Sequence, residues 1–128
     1  MTGETDLTLL LRQMRPELHA APHGFALAPQ HPIPAPFALI AEDEGMTVIA
    51  TVAALVAAGL HVSDPMARIT LTVHSALTAV GLTAAFAAAL GANGISANVV
   101  AGFHHDHIFV PWDRRHDAMA ALQALSDG

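Results

Sequence analysis

The chain has 128 residues, of which 53% are hydrophobic and only 12% charged, so it suits one compact domain or two very small ones and excludes intrinsic disorder. Its five basic residues are all arginine against eleven acidic ones, and the net charge of −6 argues against nucleic acid as a partner. The absence of lysine excludes Schiff-base enzymes and P-loop NTPases, and the absence of cysteine excludes disulfides, thiol catalysis and cysteine-ligated metals.

The first half of the chain predicts a helix, a strand, a hairpin and a second helix. Thr5 or Asp6 caps an apolar face at helical spacing, and an acidic turn ending at Gly45 separates two apolar runs. Four prolines between residues 29 and 36 permit neither a helix nor an interior strand. The predicted elements are a helix near residues 7–14, strands over 23–28, 37–41 and 46–50, and a helix over 52–58 that Gly59 ends.

The second half shows clearer periodicity. Ile69, Leu71 and Val73 alternate with polar residues, as in a strand with one buried face. Gly81 opens a helix with apolar residues at i, i+4 and i+8, and Asp113 is the predicted cap of the last helix. The predicted elements are a strand over 68–74, a helix over 82–90, strands over 95–103 and 107–110, and a helix after residue 113.

A long uncharged segment runs from Ile69 to Phe103. A membrane helix needs ~20 mainly apolar residues without a break, whereas glycines at 91 and 94 interrupt this run. The N-terminus is acidic where a signal peptide is basic. We therefore expect a buried part of a protein core, no membrane partner and a cytoplasmic location.

The order strand, helix, strand, strand, helix is that of a split β-α-β fold, with helices on one face of an antiparallel sheet. The first half repeats this order with the proline segment in place of the first helix. We predict an α+β fold of two tandem units, residues 1–64 and 65–128. Because alanine-rich helices add little side-chain area, we also expect burial through a homodimer.

The densest polar cluster is His104-His105-Asp106-His107. Imidazole and carboxylate groups ligate zinc or iron, but alternation along a strand places His105 and His107 on one face and the other two residues opposite. A third ligand has to come from His74 or from another chain. The alternative is a strand-end turn whose carboxylate faces a cationic group.

The loop from Ser75 to Gly81 is the candidate anion site. Its small residues let a ligand approach the backbone, and free N–H groups at a helix N-terminus accept a carboxylate. Asn98, at the start of the next strand, adds a side-chain amide. An ordinary strand–helix connection explains the same pattern, and no nucleophile motif such as G-x-S-x-G surrounds Ser75.

The segment from Val80 to Asn98 resembles the signature of ACT domains, in which a glycine opens the first helix and a strand of the type Gly94-Ile95-Ser96-Ala97-Asn98 follows. The tail over 98–111 is similar to the ACT branch that contains the cytosolic arginine sensor and small stand-alone bacterial ACT proteins of unknown function. Similarity to those bacterial proteins extends over nearly the whole chain. The resemblance implies a ferredoxin-like ACT fold and a role in amino-acid binding.

The resemblance also implies a ligand between the strand–helix loop of one unit and the strands of its neighbour. Backbone amides near Ala76 and Gly81 face the α-carboxylate, and Asp106 faces an ammonium or guanidinium group. His105 stands where the arginine sensor has an aromatic residue, which makes the implied pocket more polar. The candidate ligand-binding residues are Ala76, Val80, Gly81, Asn98, Gly102, Phe103, His105 and Asp106.

These observations lead to one expected function and two alternatives. We expect a non-catalytic, cytoplasmic regulatory protein that binds a small amino acid, needs no cofactor, forms a homodimer and acts on an unidentified partner protein. The first alternative is a protein-interaction module without a ligand. The second is a metal-binding protein that uses the cluster of residues 104–107.

Overall fold

The computed structural model describes residues 6–29, 33–73 and 81–128. Its helices are α1 (Leu7–Gln13), α2 (Val52–Ala57), α3 (Leu82–Ala92) and α4 (Arg115–Asp127). Its strands are β1 (Pro16–Leu18), β2 (His23–Leu27), β3 (Ala38–Glu42), β4 (Gly45–Thr51), β5 (Met66–Leu71), β6 (Asn98–Ala101) and β7 (Asp106–Pro111). Within these described residues, no helix is long and apolar enough to cross a membrane.

The chain divides into two compact units. The larger unit combines Met1–His19 with Ala67–Gly128, and the smaller unit comprises Ala20–Met66. The N-terminal helix and the first strand therefore belong with the second half of the chain. The division of the chain into two tandem sequence units, residues 1–64 and 65–128, is a different kind of division and stays a prediction.

In the residues that the structure describes, the larger unit has four strands in one sheet, covered on one face by helices. Its strand order is β1-β5-β7-β6, with β1 antiparallel to β5 and β6 antiparallel to β7. Helices α1, α3 and α4 pack against one another, and α4 also contacts β1 and β7. The fully buried core residues of this unit include Leu10, Met14, Ile69, Leu71, Phe86, Leu90, Ile108, Val110 and Leu122.

Strand β1 is the element that the sequence did not predict. The pattern placed Pro16 near the end of the first helix, whereas the structure pairs it with Leu71 and pairs Leu18 with Ile69. Proline is tolerated as the first residue of a strand because it lacks only one ladder donor. The N-terminal segment thus supplies the fourth strand of the larger unit's sheet.

The smaller unit contains the predicted hairpin. Strand β4 lies between β2 and β3 and is antiparallel to both, and α2 packs on β2 and β4. Val48, Ala50 and Leu55 are its buried core. The turn between β3 and β4 ends at Gly45, which has a positive φ of 144°. Of the proline segment, residues 30–32 lie outside the described part of the chain.

Two predicted boundaries are wrong in detail. Strand β6 begins at Asn98, because Ile95 already packs into the helix-covered core before the strand pairs with β7. Asp113 does not cap the last helix. It lies in a short 3-10 turn over Trp112–Arg114, and Arg114 occupies the N-cap position of α4.

Candidate functional site

The tip of the β6–β7 hairpin is a tight turn. Ala101 pairs with Asp106, and within the turn the Gly102 N–H donates to the His105 carbonyl oxygen at 2.9 Å. A Cβ added to Gly102 lies 2.9 Å from that same oxygen, closer than real Cβ contacts, so a side chain here requires a backbone shift. Gly102 is therefore needed for close approach within the turn, and its N–H is already engaged.

His105 joins this turn to the end of β5. Its Nδ1 lies 3.2 Å from the Val73 carbonyl oxygen. Because a carbonyl oxygen only accepts, Nδ1 is the donor, and neutral His105 keeps a lone pair on Nε2. The hydrogen bond holds the hairpin tip beside Val73, directly before the loop of residues 74–80.

Asp106 is a half-buried carboxylate next to this contact. It shares a sheet face with Ile108 and Val110, which pack into the helix-covered core. Burial raises its pKa, and the neighbouring His105 partly opposes that effect. Among the described residues, none donates a hydrogen bond to the Asp106 side chain, so the carboxylate retains its acceptor capacity.

The helix α3 starts after a glycine, whose lack of a side chain excludes the usual side-chain cap by the N-cap residue. Gly81 occupies the N-cap with a φ of 100° and provides no side-chain cap. A Cβ on Gly81 meets Cδ2 of Leu7 at 2.9 Å, so α1 lies against this helix start. The predicted residues Ala76 and Val80 lie outside the described residues, and of the predicted backbone cradle only Gly81 is described.

Two other predicted site residues have surroundings that differ from those of Asp106. Phe103 is mostly exposed at the turn, where its ring meets His104 edge-on with the centroids 5.1 Å apart. Asn98 pairs with Phe109 and so lies on the opposite sheet face from Asp106, three positions further along the hairpin. His105, Asp106 and the end of β5 are brought together, whereas Asn98 is not.

The histidine cluster does not converge. His104 and His105 lie in the turn, while Asp106 and His107 point to opposite faces of β7. In the part of the chain that the structure describes, no three histidine, aspartate or glutamate side chains are grouped as a metal ion requires.

A second polar cluster lies on the sheet face of the larger unit that the helices do not cover. The Thr70 hydroxyl is 2.9 Å from Nε2 of His19 and 2.9 Å from Nδ1 of His107. A hydroxyl has one hydrogen, so it donates to at most one imidazole and accepts from the other. Sequence reasoning missed this cluster because His19 follows the unpredicted strand β1.

The charges around His107 disfavour its protonated form. Its pKa is lowered to about 4, mainly by burial and further by the Coulombic effects of Arg68, His105 and His19. The pKa of His19 is also lowered, by burial and then by Arg68, while Glu17 opposes the shift. Both imidazoles are therefore favoured in the neutral form at pH 7.

This cluster predicts acid-sensitive stability. Because the pKa of folded His107 lies below the unfolded value, ~6.5, the unfolded chain binds more protons between these two pH values. The free energy of unfolding should therefore fall as the pH drops from about 6.5 to about 4. His107→Gln should reduce that fall in urea titrations at several pH values.

The control is His116→Gln, on the exposed face of α4, which should keep the wild-type pH dependence. Asp106 titrates with the opposite sign and is present in all three proteins, so its contribution cancels in the comparison. Equal pH dependence in wild type and His107→Gln contradicts the prediction.

Both parts of the chain match family models described as ACT domain, over residues 2–67 and 66–124. The chain therefore belongs to the ACT-domain family and carries two ACT domains in tandem, as the resemblance predicted. ACT domains as a class are regulatory, non-catalytic modules that bind amino acids. No curated protein is significantly similar to the chain.

Solved structures agree with this family. The chain is 43% identical to a protein of unknown function from Vibrio cholerae that is described as a possible transport protein, with 94% and 95% of the two chains covered and a TM-score of 0.83. A protein from Agrobacterium tumefaciens is 17% identical over 89% and 90% of the chains, with a TM-score of 0.72. The ligand-free regulatory subunit of aspartate kinase from Thermus thermophilus shares the fold at 13% identity, 89% and 98% coverage and a TM-score of 0.63.

Proposed function

We propose that this protein is a non-catalytic amino-acid sensor whose ligand binds in the larger unit, between the tip of the β6–β7 hairpin and the start of α3. The observation that carries the proposal is the half-buried Asp106 carboxylate, which no described group donates to, beside a histidine held against the end of β5. A buried acceptor that no other group satisfies favours a ligand with a cationic donor.

The chemistry of His105 supports the same choice. Its Nδ1 donates to Val73, so neutral His105 offers only its Nε2 lone pair to a ligand. Neutral His105 and its sequence neighbour Asp106 then both offer acceptor atoms. They suit an ammonium or guanidinium group, which has several N–H donors and no acceptor.

The opposite end of the ligand is assigned to the start of α3. This helix is 11 residues long, and its N-cap residue Gly81 has no side chain to bond the N–H groups of the first turn, which suit a carboxylate. We extend the proposal to the backbone of Ala76 and Val80, which precede Gly81 in the chain. Gly102 has a different role, because its N–H is engaged within the turn and its missing Cβ gives the hairpin its close approach. Phe103 is proposed as an exposed rim residue, and Asn98 as a residue outside the central contacts.

The proposal includes an assembly and a place in the cell. Each chain consists of the sequence units 1–64, which is degenerate, and 65–128, and two such chains form a cytoplasmic homodimer that signals to an unidentified partner protein. Alanine-rich helices such as α3 contribute little buried side-chain area within one chain, and a second chain would supply further burial. A ligand that binds one assembly state more tightly shifts the population of that state.

The test is a thermal-unfolding screen with each of the twenty amino acids. A ligand present at about 100 times its Kd adds ~2.7 kcal/mol to the free energy of unfolding. We expect at least one amino acid to raise the melting temperature, and expect its N-acetylated and its carboxyl-amidated forms to lose most of the effect. No shift with any of the twenty contradicts the proposal and favours a ligand-free interaction module.

A further inference from the structure

The outer edge of β3 in the smaller unit pairs with no strand among the described residues. Glu42 and Gly45 close the hairpin as a pair, and Thr47 pairs with Ile40. The Ala28 N–H donates to the Met46 carbonyl oxygen at 2.7 Å. The backbone N–H and C=O groups of Met46 therefore point toward β2, and those of the next residue, Thr47, point toward β3. By the same alternation, Ile40 bonds inward and the N–H and C=O groups of Leu39 and Ala41 point outward. Among the described strands, β3 has β4 as its one neighbour.

Apolar side chains flank this edge on both faces. Leu39 and Met46 lie on the face that carries α2 and are 57% and 41% exposed. Ile40 and Leu27 lie on the other face and are 41% and 66% exposed. Edge strands are usually protected by charges or proline, and the stretch Ala38–Ala41 contains neither.

The charges near the edge favour one arrangement of a second strand. The Glu42 carboxylate accepts a hydrogen bond from the Thr47 hydroxyl, which draws this charge toward β4 and away from the edge. Asp43 and Glu44 lie in the turn at one end of β3. A parallel second copy places two acidic turns side by side, whereas an antiparallel copy places them at opposite ends. For a chain with a net charge of −6, the neutral stretch is where two copies meet with least repulsion.

We propose that β3 of a second copy of this chain pairs antiparallel with β3, about a twofold axis at Ile40. Leu39 of one chain then pairs with Ala41 of the partner subunit, and the two residues exchange both backbone hydrogen bonds. The small alanine leaves room for the larger leucine side chain. Ile40 faces Ile40 of the partner subunit as a non-hydrogen-bonded pair. This assignment deepens the homodimer of the proposed function by naming its surface, and it does not depend on amino-acid binding.

The test uses single cysteines, since the chain contains none of its own. Residues in a non-hydrogen-bonded antiparallel pair have Cα atoms about 4.5 Å apart, within the range that a disulfide spans. Ile40→Cys should therefore form a disulfide-linked dimer under mild oxidation, at protein concentrations where the wild type has twice the 13.3 kDa mass of one chain by light scattering. Ala38→Cys is the matched control on the same face of the same strand. In the proposed register, the two cysteines at position 38 of the paired strands are four residues apart along the strand direction, ~13 Å, and should not cross-link.

Two further measurements make the outcome decisive. Ile40→Lys should be monomeric with unchanged circular dichroism, because it places two like charges opposite each other. A monomeric wild type, equal cross-linking of both cysteine variants, or a dimer that survives in Ile40→Lys overturns the assignment. Repeating the amino-acid screen on Ile40→Lys separates this result from amino-acid binding, which is contradicted when no amino acid stabilises either protein.

Discussion

Asp106→Asn should abolish stabilisation by the amino acid that protects the wild type. Asparagine has the size of aspartate but no charge, so the ligand's cationic group loses a charge-assisted hydrogen bond worth ~1.5–3 kcal/mol. A hundredfold loss of affinity reduces the stabilisation at the same ligand concentration from ~2.7 to ~0.4 kcal/mol. The measurement is the shift in melting temperature with and without ligand.

The unliganded variant should remain folded. Burial raises the pKa of Asp106, which means that the ionised carboxylate is disfavoured in the fold, so removing its charge costs no stability. Asp117→Asn is the control, since Asp117 is an exposed carboxylate whose described ion pair is with Arg114 at 3.0 Å. An Asp106→Asn protein that still responds fully to the ligand removes Asp106 from the site.

Leu10→Ala should destabilise the larger unit by ~2–5 kcal/mol, the usual cost of a large-to-small change in a well-packed core. Leu10 is fully buried in α1, which packs against α3 and α4, although it lies far from both in the sequence. The melting temperature should fall by roughly 10 °C or more. Trp112, the only tryptophan, packs against the same core, and its fluorescence in a urea titration reports the loss.

Leu9→Ala is the matched control on the same helix. Leu9 is 37% exposed, so the same chemical change removes less buried apolar surface and should cost less than Leu10→Ala. If Leu10→Ala costs no more than Leu9→Ala and both losses are small, α1 does not contribute to the core, and the assignment of Met1–His19 to the larger unit is wrong.

Elements with a strong local pattern were predictable from the sequence. The alternation of Ile69, Leu71 and Val73 predicted β5, and the spacing of Leu82, Phe86 and Leu90 predicted α3. In each case, the side chains that share a face are buried together. Such patterns are readable because one buried face imposes its period on the residues of a single segment.

Elements that depend on distant partners were not predictable in the same way. Strand β1 has three residues and begins with proline, so it shows no period, and it exists because β5 offers an edge to Pro16–Leu18. Within the candidate site, the position of Asn98 at the start of a strand suggested that its amide adds to the anion site, in the same pocket as Asp106. The register of Asn98 with Phe109 places the two on opposite faces.

By itself, the sequence determined the class of this protein: composition excluded whole classes of chemistry, and periodicity with the ACT-like motifs predicted two tandem α+β units. The tertiary structure decided which residues meet. It placed the N-terminal segment in the larger unit, set His105 against Val73 and left Asp106 half-buried as an acceptor. Local patterns encode which side of an element is buried, whereas contacts between elements depend on strand register and on closure of the whole core, which no single segment contains.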